Sequence, residues 1–485
     1  MPEHRASGLP HHFWAGLSVV RQTLLRDRLG MTVAAIAGLS FADMVKRGYV
    51  TGPSLLLLIL TVLLAVLLLV KALVPSNSVT DGREIWRLAL PLLGLIWAIN
   101  APFPHPIWAG VLLAGLGALL LWLKKPRHLI AVLGLIAVAW TGLTLTPLLA
   151  APPAIDVITM LRDGGLRLLR GLDPYTGVYP STTPGAHTLP FTYSPMTALL
   201  SVPGALLGDP RWVSFGLAVI CIGCLVWLAT TGPGRTSARA RAAAAALAML
   251  LPVLPVMVWF GWTDTYALAP FLLWLVLRPR HPRLAILCLA AAVGAKYTIL
   301  PALVPFVLWS PGTRREVVSA GVVAAAFIYL PFVLWAGPAR YWYDTVGFFT
   351  HLPPRPGCLS ISGLLTRYGL PALPFWVTTV AAAVVVTAML KWPPPEMADV
   401  LRQGAALTAV VFLFSPWALF NYWALVTLLL TAAVAANNPM RPGDGPLAGL
   451  LMSTPGDHSP DGMTSVAEVI GNEASSQFRR RSLWH

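Results

Sequence analysis

A chain of 485 residues with 56% hydrophobic and 11% charged side chains carries less than half the charge of a soluble domain, which has about 25%, so it cannot cover itself with water-compatible surface. The net charge of +15 would suit a polyanion, but the Lys and Arg residues gather in short segments between apolar runs. That is the pattern of cytoplasmic loops in a membrane protein, and it excludes nucleic acid as a partner. In lipid, backbone amides must be satisfied internally, by helices or closed barrels. Continuous apolar runs such as 55–70 select helices over the alternating strands of a barrel. The fold class is therefore all-α, a polytopic transmembrane helical protein of about 11–13 spans with amphipathic interfacial helices in its outer loops.

In chain order the expected spans fall at 31–48, 52–70, 86–101, 107–123, 128–150, 211–230, 240–260, 263–277, 314–336, 371–390, 399–415 and 419–436. The segment 284–309 is broken at Lys296-Tyr297, giving one tilted helix or two short ones packed back to back. Arg21, Arg26 and Arg28 precede the first span, and Lys124, Lys125 and Arg127 precede the fifth. Further basic clusters are Arg235 with Arg239 and Arg241, Arg278 with Arg280 and Arg283, and Arg314 with Arg315. Placing these inside puts the N-terminus in the cytoplasm and loops 151–194 and 337–370 outside, although Lys46-Arg47 then lies outside too. The cysteines, Cys221 and Cys224 among them, lie in apolar surroundings and read as small hydrophobes; no metal-ligand set or cofactor motif is found. Three regions follow: an N-terminal transmembrane extension, 1–127; a core, 128–436, holding both outer loops; and a polar, disordered cytoplasmic tail, 437–485.

The first outer loop carries the most pattern. From Asp156 to Gly171, Ile158, Leu161, Leu168, Leu169 and Leu172 fall on one side of a helix, and Asp156, Thr159, Asp163, Arg167 and Arg170 on the other. Such a helix lies at a membrane surface. Asp156, just after a span and after Pro152-Pro153, is equally a first-turn acid favoured by the helix dipole. Gly171-Leu172-Asp173-Pro174-Tyr175 is a turn signal. Phe191-Thr192-Tyr193-Ser194-Pro195 opens the next apolar stretch.

This order, a span, an Asp, an amphipathic helix, Gly-x-Asp-Pro-Tyr, then Phe-x-Tyr-x-Pro, resembles the GT-C superfamily of membrane glycosyltransferases, and within it the bacterial mannosyltransferases that use polyprenyl-phosphate sugar donors. Gly261-Trp262-Thr263-Asp264, Gly294-Ala295-Lys296-Tyr297, Leu359-Ser360-Ile361-Ser362-Gly363 and Phe414-Ser415-Pro416-Trp417 with Asn421-Tyr422-Trp423 continue the likeness over roughly 128–436. The chain departs from the family in the four or so spans ahead of this region, and in Asn421-Tyr422 standing where a His is frequent. The resemblance implies transfer of a mannose or another hexose or pentose from a polyprenyl-phosphate sugar donor to a lipid or cell-envelope glycan acceptor. The reaction would take place on the outer face of the bacterial cytoplasmic membrane, with membrane lipids as partners and no cofactor. It makes Asp156 the catalytic residue.

The chemistry needs a base for the acceptor hydroxyl and cations for the leaving phosphate. Lys296, an intramembrane cation and so functional by default, Arg355 and Arg367 are the candidates for the phosphate. Asp163, Asp173, Tyr175, Tyr193, Asp264, Tyr297, Asn421 and Tyr422 are the candidates for substrate contact. Asp264 is equally a structural ion-pair partner for Lys296. His351 reads as a loop residue, and Tyr341, Trp342 and Tyr343 as membrane-belt aromatics. A transporter or flippase also accommodates broken helices and intramembrane charges, and a non-catalytic scaffold is the third reading. One cavity lined by the separated polar residues favours the enzyme.

Overall fold

The computed structural model describes residues 107–436 except 151, 154, 182–187, 232–237, 310, 352–357 and 395, together with 32, 33, 35–37, 39, 89, 90 and 93. The spans expected at 31–48, 52–70 and 86–101 fall largely or wholly outside the described residues, as do Arg355 and the tail. Among the described residues the chain is almost wholly helical, and the sheet is a single two-stranded ribbon, β1 (Tyr179–Pro180) against β2 (Thr188–Leu189).

The elements that frame the site come in this order: α1 (Ile107–Trp122), α2 (Pro126–Leu149), α3 (Asp156–Leu169), α4 (Pro195–Leu206), α5 (Arg211–Thr231), α6 (Ala238–Leu250), α7 (Val253–Phe260), α8 (Asp264–Leu277), α9 (Pro282–Ala295) and α10 (Leu300–Trp309). After them come α11 (Pro311–Val323), α12 (Leu330–Ala336), α13 (Pro338–Trp342), α14 (Phe348–His351), α15 (Ile361–Arg367), α16 (Phe375–Lys391), α17 (Met397–Phe414) and α18 (Trp423–Ala436). Among the described residues, five helical stretches are long and apolar enough to cross a membrane: Pro126–Leu149, Arg211–Thr231, Ala238–Phe260, Gly312–Ala336 and Met397–Phe414. The break expected at Lys296-Tyr297 is present, and the two helices that meet there are bent by 114°.

Small residues set the centre of the bundle. Ala242 to Ala246 are all buried, and a helix face of methyl groups lets neighbouring backbones approach closely where lipid supplies no hydrophobic drive. α6 accordingly packs against α1, α2 and α5, and α8 against α5 and α9. Lys296 sits where α9 stops, in extended backbone with φ −158°. The break is propped from two sides: Thr197 Oγ1 donates to Ala295 O at 2.7 Å and Tyr329 Oη to Val293 O at 2.8 Å. Carbonyls freed by a broken helix must find such partners in a membrane.

The amphipathic helix forms as its periodicity requires, but its buried stripe is Ile158, Met160, Leu161, Gly164 and Gly165. Leu169 and Leu172, placed by periodicity on the apolar face, are exposed. The reason is the Gly pair: an added Cβ would stand 2.5 Å from Phe191 at Gly164 and 2.8 Å from the Ala205 Cβ at Gly165. α3 therefore rests its glycine face directly on the α4 side of the loop. Gly171, at φ +68°, closes α3 with the paired bonds Gly171 N to Leu168 O and Leu172 N to Arg167 O, the Schellman pattern for which glycine is suited.

Candidate active site

Five chain segments that are far apart in sequence come together. They enclose a cavity of about 160 Å³ lined by Asp156, Val157, Met160 and Leu189, by Thr192, Tyr193 and Ser194, by Trp262 and Thr263, by Ala295, Lys296 and Tyr297, by Phe348 and Phe349, and by Trp417, Leu419, Asn421 and Tyr422. Asp156 is the first residue of α3 and is half-buried; its Oδ1 accepts from Val157 N at 3.1 Å. The favourable interaction of a carboxylate with a helix N-terminus coexists with a place on the cavity wall.

Across the segments, the Lys296 ammonium donates to Asp264 Oδ1 at 2.6 Å, and Asn421 Nδ2 donates to Asp264 Oδ2 at 2.7 Å. Lys296 Nζ also stands 4.5 Å from the centre of the Tyr422 ring, a cation–π contact. Asp264 is buried under this arrangement and begins α8 just after the Gly261 turn. There Gly261, at φ +61°, closes α7 through Gly261 N to Val258 O and Trp262 N to Met257 O. Burial, with the Asp156 and Asp264 carboxylates nearby, pushes the Tyr193 phenol far up, so it stays protonated and can donate a hydrogen bond.

Of the residues singled out in the sequence, the cavity wall brings together Asp156, Tyr193, Lys296, Tyr297, Asn421 and Tyr422, with Asp264 directly behind it. Asp173 and Tyr175 stand one layer back. Asp173 Oδ1 accepts from Tyr175 N at 3.0 Å, which fixes the turn, and Tyr175 Oη donates to Tyr193 O at 2.8 Å, which holds the wall residue from behind. Tyr175 is wholly buried among Phe191, Phe332 and Tyr341. Asp163 pairs with Arg162 at 2.9 Å and is not on the wall. Arg367 is exposed at the end of α15, also off the wall. Arg355 is outside the described residues. His351 bonds its own helix through Gly347 O at 2.6 Å.

The aromatic part of the wall is Trp262 and Trp417, which stand inside quoted motifs without a role of their own, together with Phe348 and Phe349. Phe348 and Phe349 lie in loop 337–370, apart from any quoted motif, and carry no local signal.

Residues 191–416 match the model of glycosyltransferase family 87. The chain is also similar to the polyprenol-phosphate-mannose-dependent alpha-(1-2)-phosphatidylinositol mannoside mannosyltransferase of Mycolicibacterium smegmatis, at 28% identity over 66% of this chain and 78% of that protein. The chain is a membrane glycosyltransferase, similar to the GT-C class. No solved structure matches it. The family match takes in Tyr193, Asp264, Lys296 and loop 337–370, whereas Asp156 precedes it. The case for Asp156 in this glycosyltransferase thus rests on where α3 places it.

Proposed function

We propose that the chain transfers a sugar, mannose being the one the relative's name favours, from a polyprenyl-phosphate donor to a hydroxyl of a lipid or envelope-glycan acceptor on the outer face of the bacterial cytoplasmic membrane. The observation that carries this reading is that a carboxylate, Asp156, and a cation, Lys296, from segments far apart in sequence line one aromatic-walled cavity. Asp156 takes the proton of the acceptor hydroxyl as its oxygen bonds to the anomeric carbon. The bond from that carbon to the phosphate oxygen breaks, and the polyprenyl phosphate leaves with the electron pair. A positioned base of this kind contributes about 10²–10⁴-fold. Lys296 faces the charge that develops on the phosphate, and Asp264 and Asn421 hold it in place.

The test incubates membranes from cells expressing the chain with radiolabelled polyprenyl-phosphate-mannose. Label entering a new lipid or glycan, dependent on the chain and lost in Lys296→Met, is the expected result. Label moved across sealed vesicles without any new product would make the protein a transporter and overturn the reading.

A further inference from the structure

The spans that deliver Asp156 and Asp264 end against one buried cation. Arg211, the first residue of α5, has a side chain only 1% exposed. Its guanidinium donates to Pro147 O at 3.1 Å, Leu148 O at 3.0 Å and Ala150 O at 2.9 Å. These are carbonyls at the end of α2, where a helix runs out of intrahelical donors. Nε donates to Asp209 Oδ2 at 2.8 Å, and the guanidinium carbon lies 5.6 Å from the centre of the Trp259 ring on α7. The same side chain borders the Gly261 turn: a Cβ on Gly261 would stand 3.1 Å from Ile158 Cγ1 of α3 and 3.6 Å from Arg211 Cγ.

The chain leaves α2 through Pro152 and Pro153 to reach Asp156, and leaves α7 through Gly261 to reach Asp264. Arg211 therefore touches both departures at once. A lysine offers one compact ammonium, whereas the planar guanidinium fork reaches several carbonyls and a carboxylate together. A buried charge is costly unless it is paired and hydrogen-bonded, and Arg211 is both. Nothing in the cavity uses Arg211 directly, since it is absent from the wall.

We propose that Arg211 is a positioning residue of the transferase: it ties the end of α2 to the Gly261 turn and so fixes where Asp156 stands relative to Asp264 and Lys296. This rests on Asp156 being the base. A purely structural Arg211 would change how much protein folds. A positioning Arg211 changes turnover per folded molecule, and it does so through Asp156.

The experiment measures kcat and donor KM with polyprenyl-phosphate-mannose and a total lipid extract as acceptor, on detergent-purified, monodisperse enzyme. The variants are Arg211→Met, Arg211→Lys, Asp156→Asn and the double variant Arg211→Met with Asp156→Asn. Misplacing a reacting group by about 1 Å costs about 10²-fold, so Arg211→Met should lower kcat about that much with donor KM within about threefold. Arg211→Lys should recover part of the loss. The double variant should be no slower than Asp156→Asn alone, because residues acting as one unit are not additive. An unchanged kcat in Arg211→Met, or a loss that multiplies in the double variant, overturns the proposal. If Arg211→Met does not fold, Asp209→Asn makes the same test: a smaller kcat loss that vanishes in the Asp156→Asn background supports it, and an unchanged kcat overturns it. Fully active Asp156→Asn would remove the base assignment and this proposal with it. Slow Asp156→Asn beside fast Arg211→Met would remove this proposal alone.

Discussion

Lys296 Nζ and Asp264 Oδ1 stand 2.6 Å apart, with the second carboxylate oxygen taken by Asn421. The pair joins the break after α9 to the start of α8, and it separates the roles of the site's two carboxylates. Asp264 is committed on both oxygens inside the protein, while Asp156 sits on the wall of the cavity.

Removing one member of this pair leaves a buried charge unbalanced, which typically costs about 3–5 kcal/mol. Lys296→Met and Asp264→Asn should each lower the thermal stability of the purified protein. The double variant removes both charges and should recover much of that stability. Transfer should stay depressed at least about tenfold in the double variant, since the phosphate then meets no ammonium. Stability and transfer recovering together would reduce the pair to a structural tie.

Loops 151–194 and 337–370 carry a pH response of unusual sign. Burial pushes the carboxyls of Asp173 and Asp344 above the ordinary value near 3.8, against the pull of a hydrogen bond from Tyr175 N on the first and of Arg340 on the second. Asp173 Oδ2 and Asp344 Oδ1 are buried without a partner among the described residues, so a proton suits each. The folded state then binds protons more tightly than the unfolded chain. Stability should fall as pH rises from about 3.8 through the raised folded values and level off above them. Asp344→Asn keeps an acceptor for Arg340, which bonds the carboxylate at 2.8 Å, and removes the charge. It should flatten this slope and make the loops at pH 7 at least as resistant to limited proteolysis as in the native protein. More rapid cleavage of Asp344→Asn at pH 7 would count against a carboxylate destabilised by its burial.

Sidedness can be read at Val178, which is 68% exposed beside the ribbon of loop 151–194. We propose, from the basic clusters, that this loop lies outside. Cys221, Cys224 and Cys358 are buried, which keeps their contribution to labelling low. Val178→Cys should react with a membrane-impermeant maleimide in intact cells. Reaction only after lysis would put the cavity on the cytoplasmic side and remove the polyprenyl-phosphate donor from the outer-face scheme.

What the sequence made legible were features with a local cause. Gly171 and Gly261 end helices because their positive φ suits glycine, and a lysine inside an apolar run marks the break between α9 and α10. Which side of a turn faces the cavity is not local. Asp173 and Tyr175 lie in the same motif-rich loop as Tyr193, yet the bond from Tyr175 Oη to Tyr193 O puts them behind it. The reach of Arg211 back to the end of α2, and the arrival of Phe348, Phe349 and Trp417 on the wall, depend on how distant helices stack. Neither periodicity nor motif spacing encodes that.

The sharpest prediction concerns Asp156 itself. Asn preserves the shape of the side chain and can still accept from Val157 N, the contact seen at 3.1 Å, and Asn serves helix N-termini about as well as Asp. If Asp156 only begins α3, Asp156→Asn is nearly silent in folding and in transfer. If it takes the acceptor's proton, the amide cannot do so, and transfer should drop about 10²–10⁴-fold with stability close to native. Asp163→Asn and Asp173→Asn are the controls. The first carboxylate is spent on Arg162 and the second on the turn into Tyr175, so each should retain transfer to within about tenfold. Radiolabel transfer by equal amounts of the folded variants decides it. Activity surviving in Asp156→Asn and lost in Asp264→Asn would move the base to the carboxylate now paired with Lys296.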